Sequence, residues 1–183
     1  MSKFFSNIYD EIKDKLDQTD IAALEKISKI LISTNKKRKK IIIIGNGGSA
    51  AIASHVSVDL TKNAGIKSIN FNESDLITCL SNDFGYQKVF SKSLEFYADR
   101  GDVVIIISSS GRSKNILEAA HFCKNHKIKL FTLTGFSKSN PLRKVGNINL
   151  WVNSKAYNIV ENIHQIWLLS IVDNIIGKTE YSA

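Results

Sequence analysis

The chain has 183 residues, 43% of them hydrophobic and 23% charged, with a formal net charge of +8. This length suits one α/β domain with a full core and is short for two, and no apolar run nears the roughly 20 residues of a membrane span. The opening MSKFFSNIYDEIKDK has no signal-like apolar stretch, and Cys79 and Cys123 follow no metal or redox spacing. A cytoplasmic protein is therefore expected, its cysteines reduced and packed as small apolar residues.

Much of the positive charge sits in Lys36-Lys37-Arg38-Lys39-Lys40. No aromatic residues are interleaved there for base stacking, so the run is read as a solvated boundary between a helix and a strand rather than a nucleic-acid site.

Helix is expected from about Phe4 to Thr34, with Asp20 able to cap a second stretch in which Ile21, Leu24, Ile27, Ile30 and Leu31 recur at helical spacing. A strand at 40–44 follows, then a helix from Ser49 to about Asn63, a short strand at 68–70, and a helix start at 72–75 leading into 76–80. Residues 81–86 read as a turn, and another helix runs to about Tyr97. Strand, helix and strand then repeat over 102–107, 112–125 and 129–134. A loop at 135–145 holds Pro141, a last strand covers 147–152, and a last helix spans 157–176 before Gly177. The pattern predicts helices over 1–36 and an α/β core over 40–176 in one domain. About five strands should form an open parallel sheet flanked by helices.

Two stretches share one design. Ile41-Ile42-Ile43-Ile44 ends in Gly45-Asn46-Gly47-Gly48-Ser49, and Val103-Val104-Ile105-Ile106-Ile107 ends in Ser108-Ser109-Ser110-Gly111-Arg112-Ser113. Continuous β-branched runs are the mark of strands buried on both faces. Small residues at their ends leave N–H groups and hydroxyls free, at the start of the next helix, to hold an anion. No lysine follows the glycines as in a P-loop. Only part of the G-x-G-x-x-G dinucleotide pattern is present, because Ala50 closes it and no acidic residue ends the second strand. A phosphorylated ligand of compact shape is the expectation.

These turns, with Ser81-Asn82-Asp83-Phe84-Gly85 and Leu133-Thr134-Gly135, resemble the sugar isomerase (SIS) domain over nearly the whole chain. Within that superfamily the chain is similar to the phosphoheptose isomerases, which act on sedoheptulose 7-phosphate. The resemblance implies a phosphorylated sugar as ligand, a homotetramer or dimer with sites between subunits, zinc or another divalent metal in some members, and a role in heptose and surface-polysaccharide precursor synthesis. By the family pattern Ser49, Ser108, Ser109, Ser110 and Ser113 hold the phosphate, with Asn46, Gly47 and Asp83 near the sugar. Arg112 stands where the isomerases more often carry a small polar residue, and it either adds charge to the phosphate site or lies in solvent.

Aldose–ketose isomerisation needs a base to remove the proton beside the carbonyl and an acid to return it, through an enediol. In the family the helix after the first turn supplies a histidine and, four residues on, a glutamate; here these are His55 and Asp59. The last helix supplies a glutamine and, eight residues on, a histidine; here these are Glu161 and Leu169. The family's preceding aspartate is Asn158. Glu161 and His164 lie three apart, an E-x-x-H arrangement that helical metal sites use. The expected catalytic set is Asp59, Glu161 and His164, and the expected metal set is His55, Asp59, Glu161 and His164. An alternative has Glu161 as base and His55 as acid without metal. His121 and His126 read as inert, and Trp151, Tyr157 and Trp167 as core or interface. The competing function is a non-catalytic SIS protein that binds a phosphosugar and acts through a protein partner.

Overall fold

A computed structural model describes residues 3–180. The N-terminal helical stretch is two helices, α1 (Lys3–Asp17) and α2 (Ile21–Lys36). Asp20 caps α2 by accepting from the Ala23 amide at 3.0 Å, as its position before the apolar stripe predicts. There follow β1 (Ile41–Gly45), α3 (Gly48–Lys62), β2 (Ser68–Asn70), α4 (Ser74–Phe84) and α5 (Val89–Tyr97). The chain continues through β3 (Val103–Ser108), α6 (Lys114–Asn125), β4 (Lys129–Thr134), β5 (Ile148–Trp151) and α7 (Tyr157–Ile176). Gly177 ends α7 in the left-handed conformation, with φ of 84°.

Two boundaries differ from expectation. The stretch 81–84, expected as a turn, is the last part of α4, and only Gly85 breaks it, with φ of 82°. Helix α6 begins at Lys114 rather than Arg112, because Ser113 is its extended N-cap.

The five strands are all parallel, in the order β2-β1-β3-β4-β5. The isoleucine and valine runs are buried on both faces, as a covered parallel sheet requires. Alternate residues go to opposite sides: Ile41, Ile43, Val103, Ile105 and Ile107 pack with α2, α3 and α7. Ile42, Ile44, Val104 and Ile106 pack with α4, α5 and α6. Each such side chain withdrawn from water contributes on the order of 2 kcal/mol.

The amino ends of β1 and β3 are held by Asp102, whose side chain is 0% exposed. It accepts from the Lys40 amide at 3.0 Å and the Asp99 amide at 2.8 Å, and pairs with Lys40 Nζ at 2.7 Å. The exposed remainder of the basic run stays solvated.

The sheet order reverses between β1 and β3. From β1 the chain steps outward to β2, and from β3 it steps the other way to β4 and β5. Ligands in such sheets bind outside the carboxyl ends of the strands at this switch point. Both Gly/Ser turns leave from there, one from each strand.

Candidate functional site

A cleft of about 270 Å³ opens between the two turns. The first turn contributes Asn46, Gly47, Gly48 and Ser49, and the second Ser108, Ser110 and Ser113. Tyr157 and Glu161 of α7 close the third side.

Its chemistry follows from how the two helices begin. Neither α3 nor α6 receives a side-chain capping bond at its N-cap, Gly47 and Ser113. In α3 the Ser49 and Ala50 amides turn back to the Asn46 and Gly47 carbonyls at 3.0 and 2.9 Å, and in α6 the Ile116 amide donates to Asn115 Oδ1 at 2.9 Å, so what both starts share is a positive dipole end turned to the cleft. Ser108 Oγ accepts from the Gly111 amide at 3.2 Å, and Ser110 Oγ accepts from the Arg112 amide at 3.3 Å. A hydroxyl that accepts from the backbone still has its own hydrogen to donate. The cleft thus offers donors from two directions, the complement of a phosphate's acceptor oxygens.

The second turn is braced from behind by the loop after β4. The Gly135 amide donates to the Ser109 carbonyl at 2.9 Å, and the Leu142 amide to the Gly111 carbonyl at 3.2 Å. Gly111 has φ of 61°, and a side chain there would collide with the fully buried Asn140 amide. Glycine is required on both counts.

Glu161 sits against the start of α3: a side chain on Gly48 would run into its carboxylate. This absence of a Cβ lets an acidic group reach the positive end of α3, on the wall of the phosphate cleft.

The expected four-residue cluster does not form within the chain. His164 is 0% exposed, with Nε2 at 3.1 Å from the Thr134 carbonyl and Nδ1 buried without a partner. Burial pushes its pKa down to about 4, and the hydrogen bond to Thr134 offsets this only in part. His164 is neutral at pH 7 and docks α7 on the end of β4. Among the described residues no group of three or more His, Cys, Asp or Glu side chains gathers where it could hold a metal ion. The donors of one chain do not fit the expected zinc or other divalent metal.

His55 and Asp59 do meet, at 3.4 Å between Nε2 and Oδ2, two helical turns along α3 from the cleft. Gln165 Nε2 lies 3.5 Å from His55 Nδ1, a contact that no motif in the sequence signals. Asp83 is exposed on the last turn of α4, bonded to Asn82 at 3.0 Å, and does not line the cleft. Ser109 also lies off the lining, its hydroxyl buried and without a partner. Leu169 is half-buried against the core.

Tyr157 is 60% exposed and lines the cleft, whereas Trp167 is buried and donates to Thr19 Oγ1 at 2.8 Å. Cys123 is buried as expected, but Cys79 is exposed. Tyr86 and Asn115 escaped sequence reasoning altogether. Tyr86 Oη donates to Asn46 Oδ1 at 3.1 Å, and Asn115 exchanges two amide hydrogen bonds with Asn46, each 3.0 Å. Neither carries a motif signal, because both act through Asn46.

Serine-rich turns, two helix starts without a side-chain bond from the N-cap and a switch-point cleft together suit an anionic ligand in an α/β domain. A model of the SIS domain matches residues 3–135, and the chain belongs to the SIS-domain family. Its relatives there include phosphoheptose isomerases. The chain is 33% identical to the "Phosphoheptose isomerase" of Aliarcobacter butzleri over 169 residues, covering 87% of this chain and 89% of the relative. It is 37% identical to the phosphoheptose isomerase of Proteus mirabilis over 155 residues, covering 82% and 79%. The structure of a phosphoheptose isomerase from Francisella tularensis superposes with a TM-score of 0.86 at 24% identity, over 96% of this chain and 95% of that one.

Proposed function

We propose that this protein is a phosphosugar aldose–ketose isomerase of the phosphoheptose type, with sedoheptulose 7-phosphate as the substrate to test first and heptose precursors of surface polysaccharide as its product line. One observation carries the reading: a carboxylate, Glu161, stands on the wall of the same cleft whose other walls are phosphate donors. Serine hydroxyls and helix starts hold the phosphate end. Ser49, Ser108, Ser110 and Ser113 are the residues for this, with Gly47 and Asn46 on the sugar side. Glu161 then faces the chain of carbons and exchanges the proton between the two carbons beside the carbonyl, through the enediol. Asp59 and His55, already paired, are the second proton-transfer pair for a sugar that extends along α3. His164 takes no part in this reading, and no step passes through a metal.

The sites are completed by further copies of the chain. Helix α1 buries no residue, and Phe4, Phe5 and Tyr9 on it are all more than half exposed, as is Val58 on α3 one turn from His55. Such apolar exposure suits a homotetramer or dimer. No helix among the described residues is long and apolar enough to cross a membrane.

The test is solvent-deuterium exchange and turnover with sedoheptulose 7-phosphate, with and without added zinc. Wild-type protein exchanges label into the sugar, and Glu161→Gln loses at least about a hundredfold in kcat while it still binds the phosphate. No exchange in either condition overturns the enzyme. The second reading, a binding protein that acts through a protein partner, draws on Leu169, an aliphatic residue at the position of the family's histidine. It predicts sugar phosphate binding without exchange.

A further inference from the structure

The Asn46–Asn115 pair joins the two turns, and its hydrogen-bond directions can be read without ambiguity. The starting point is a backbone donor: the Ile116 amide donates to Asn115 Oδ1 at 2.9 Å. A backbone N–H cannot accept, so this bond fixes which end of the Asn115 amide is oxygen. Asn115 Oδ1 also accepts from Asn46 Nδ2 at 3.0 Å, and Asn115 Nδ2 donates to Asn46 Oδ1 at 3.0 Å. Asn46 Oδ1 takes a second donor, the Tyr86 hydroxyl, at 3.1 Å. Both amide oxygens now have two partners each, which fills their lone pairs. One polar group of Asn46 is left over: the second N–H of Nδ2, on a residue that lines the cleft.

We infer that Asn115 is a positioning residue that holds Asn46 as a hydrogen-bond donor only, so that the ligand group opposite Asn46 is an acceptor oxygen. This rests on the isomerase reading for the identity of the ligand but not for the geometry. Asn115 is 4% exposed and does not line the cleft, so it acts through Asn46 and not by touching the ligand. An unconstrained asparagine presents either its oxygen or its nitrogen to a polyol, and hydroxyls satisfy both. A donor-only asparagine favours a carbonyl, an enediolate or a phosphate oxygen over a hydroxyl hydrogen. The clasp also ties the β1 turn to the α6 start, and through Tyr86 to the segment after α4. Three separate loops are thereby set in one register.

The experiment is a double-mutant cycle on sugar phosphate affinity, with the isosteric Asn115→Asp and with Asn46→Ala. Asn115→Asp keeps the acceptor for the Ile116 amide but puts an oxygen against Asn46 Oδ1. The expected result is about a five- to tenfold loss of sedoheptulose 7-phosphate affinity in the wild-type background and less than about twofold in the Asn46→Ala background. Equal losses in both backgrounds overturn the inference, since a merely structural role is additive. A readout without ligand separates this outcome from failure of the isomerase reading. In the free protein the Asn46 side-chain amide proton bonded to Asn115 Oδ1 is protected from solvent exchange, and a second variant, Asn115→Ala, which removes that acceptor, removes the protection. If the sugar phosphate does not bind but the protection is present and is lost in the variant, the isomerase reading falls and the clasp stands. If Asn46 shows no protection in the wild type, the clasp falls whatever binds.

Discussion

His164 offers a test of whether α7 uses its histidine for chemistry or for packing. Its imidazole donates from Nε2 to the Thr134 carbonyl, which can only accept, and Nδ1 faces the interior with no partner. A proton added to Nδ1 would therefore be a buried, unpaired charge. The folded pKa of about 4 lies below the ordinary 6.5, so between those values the unfolded chain binds more protons than the folded one. Stability from this group is complete above pH 6.5 and is lost as pH falls towards 4. At about 1.4 kcal/mol per pH unit the loss approaches roughly 3 kcal/mol. Urea unfolding at pH 7 and at pH 4, at one protein concentration and followed by Trp167 fluorescence, measures it. Trp167 is a close reporter, its ring centre 6.0 Å from that of His164. His164→Leu removes the titration and fills the site with an apolar side chain, while Thr134 O keeps its bond from the Val152 amide at 2.8 Å. The wild type should lose about 3 kcal/mol more than His164→Leu between the two pH values. Parallel losses would refute the argument, and so would a His164→Leu enzyme that folds but has no turnover.

Three more predictions bear on the fold and the site. Asp102→Ala, which leaves the Lys40 and Asp99 amides without their buried acceptor while Lys40 Nζ keeps Asp99 at 2.8 Å, should cost about 2–4 kcal/mol in urea unfolding. Gly48→Ala should leave stability nearly unchanged but push the Glu161 carboxylate off the start of α3, lowering kcat about tenfold or more with little change in phosphate affinity. In native protein a thiol reagent should titrate Cys79 alone, because burial pushes the Cys123 thiol up to about 12 and no part of it is exposed; two equivalents in native protein would contradict this.

The sheet was legible because its signal is local. Four consecutive isoleucines at 41–44 and the run at 103–107 can only be strands covered on both faces, and the turns that follow mark their carboxyl ends. The phosphate donors were legible for the same reason: Ser108, Ser110 and Ser113 stand within six residues of one another. What could not be read was depth. Asp83 was expected near the sugar and lies on an exposed helix turn, because α4 continues four residues past Leu80, through the turn that Ser81-Asn82-Asp83 suggests. Asn115 looks like any polar residue at a helix start. Its partner is 69 positions away, and only the β1–β3 pairing, with Gly45 beside Ile107, brings the two within reach.

The E-x-x-H pair on α7 shows how the fold divides what the sequence joins. Glu161 and His164 share a helical face, and three residues of helix separate them by about 4.5 Å along the axis. The cleft lies just beyond the carboxyl ends of the strands, so this rise decides their fates. Glu161 is level with the turns, beside Gly48. His164 is level with the last residue of β4 and meets Thr134 instead. A helical metal site needs both residues to face one polar space between helices, as in bundles where two such motifs converge. Here α7 packs on a sheet, and its inner face below the cleft is core: Ile163, Trp167 and Leu168 surround the level of His164. In the proposed isomerase Glu161 is therefore the member of this pair that faces the ligand, and the second proton-transfer pair is sought on α3, where His55 and Asp59 already stand together.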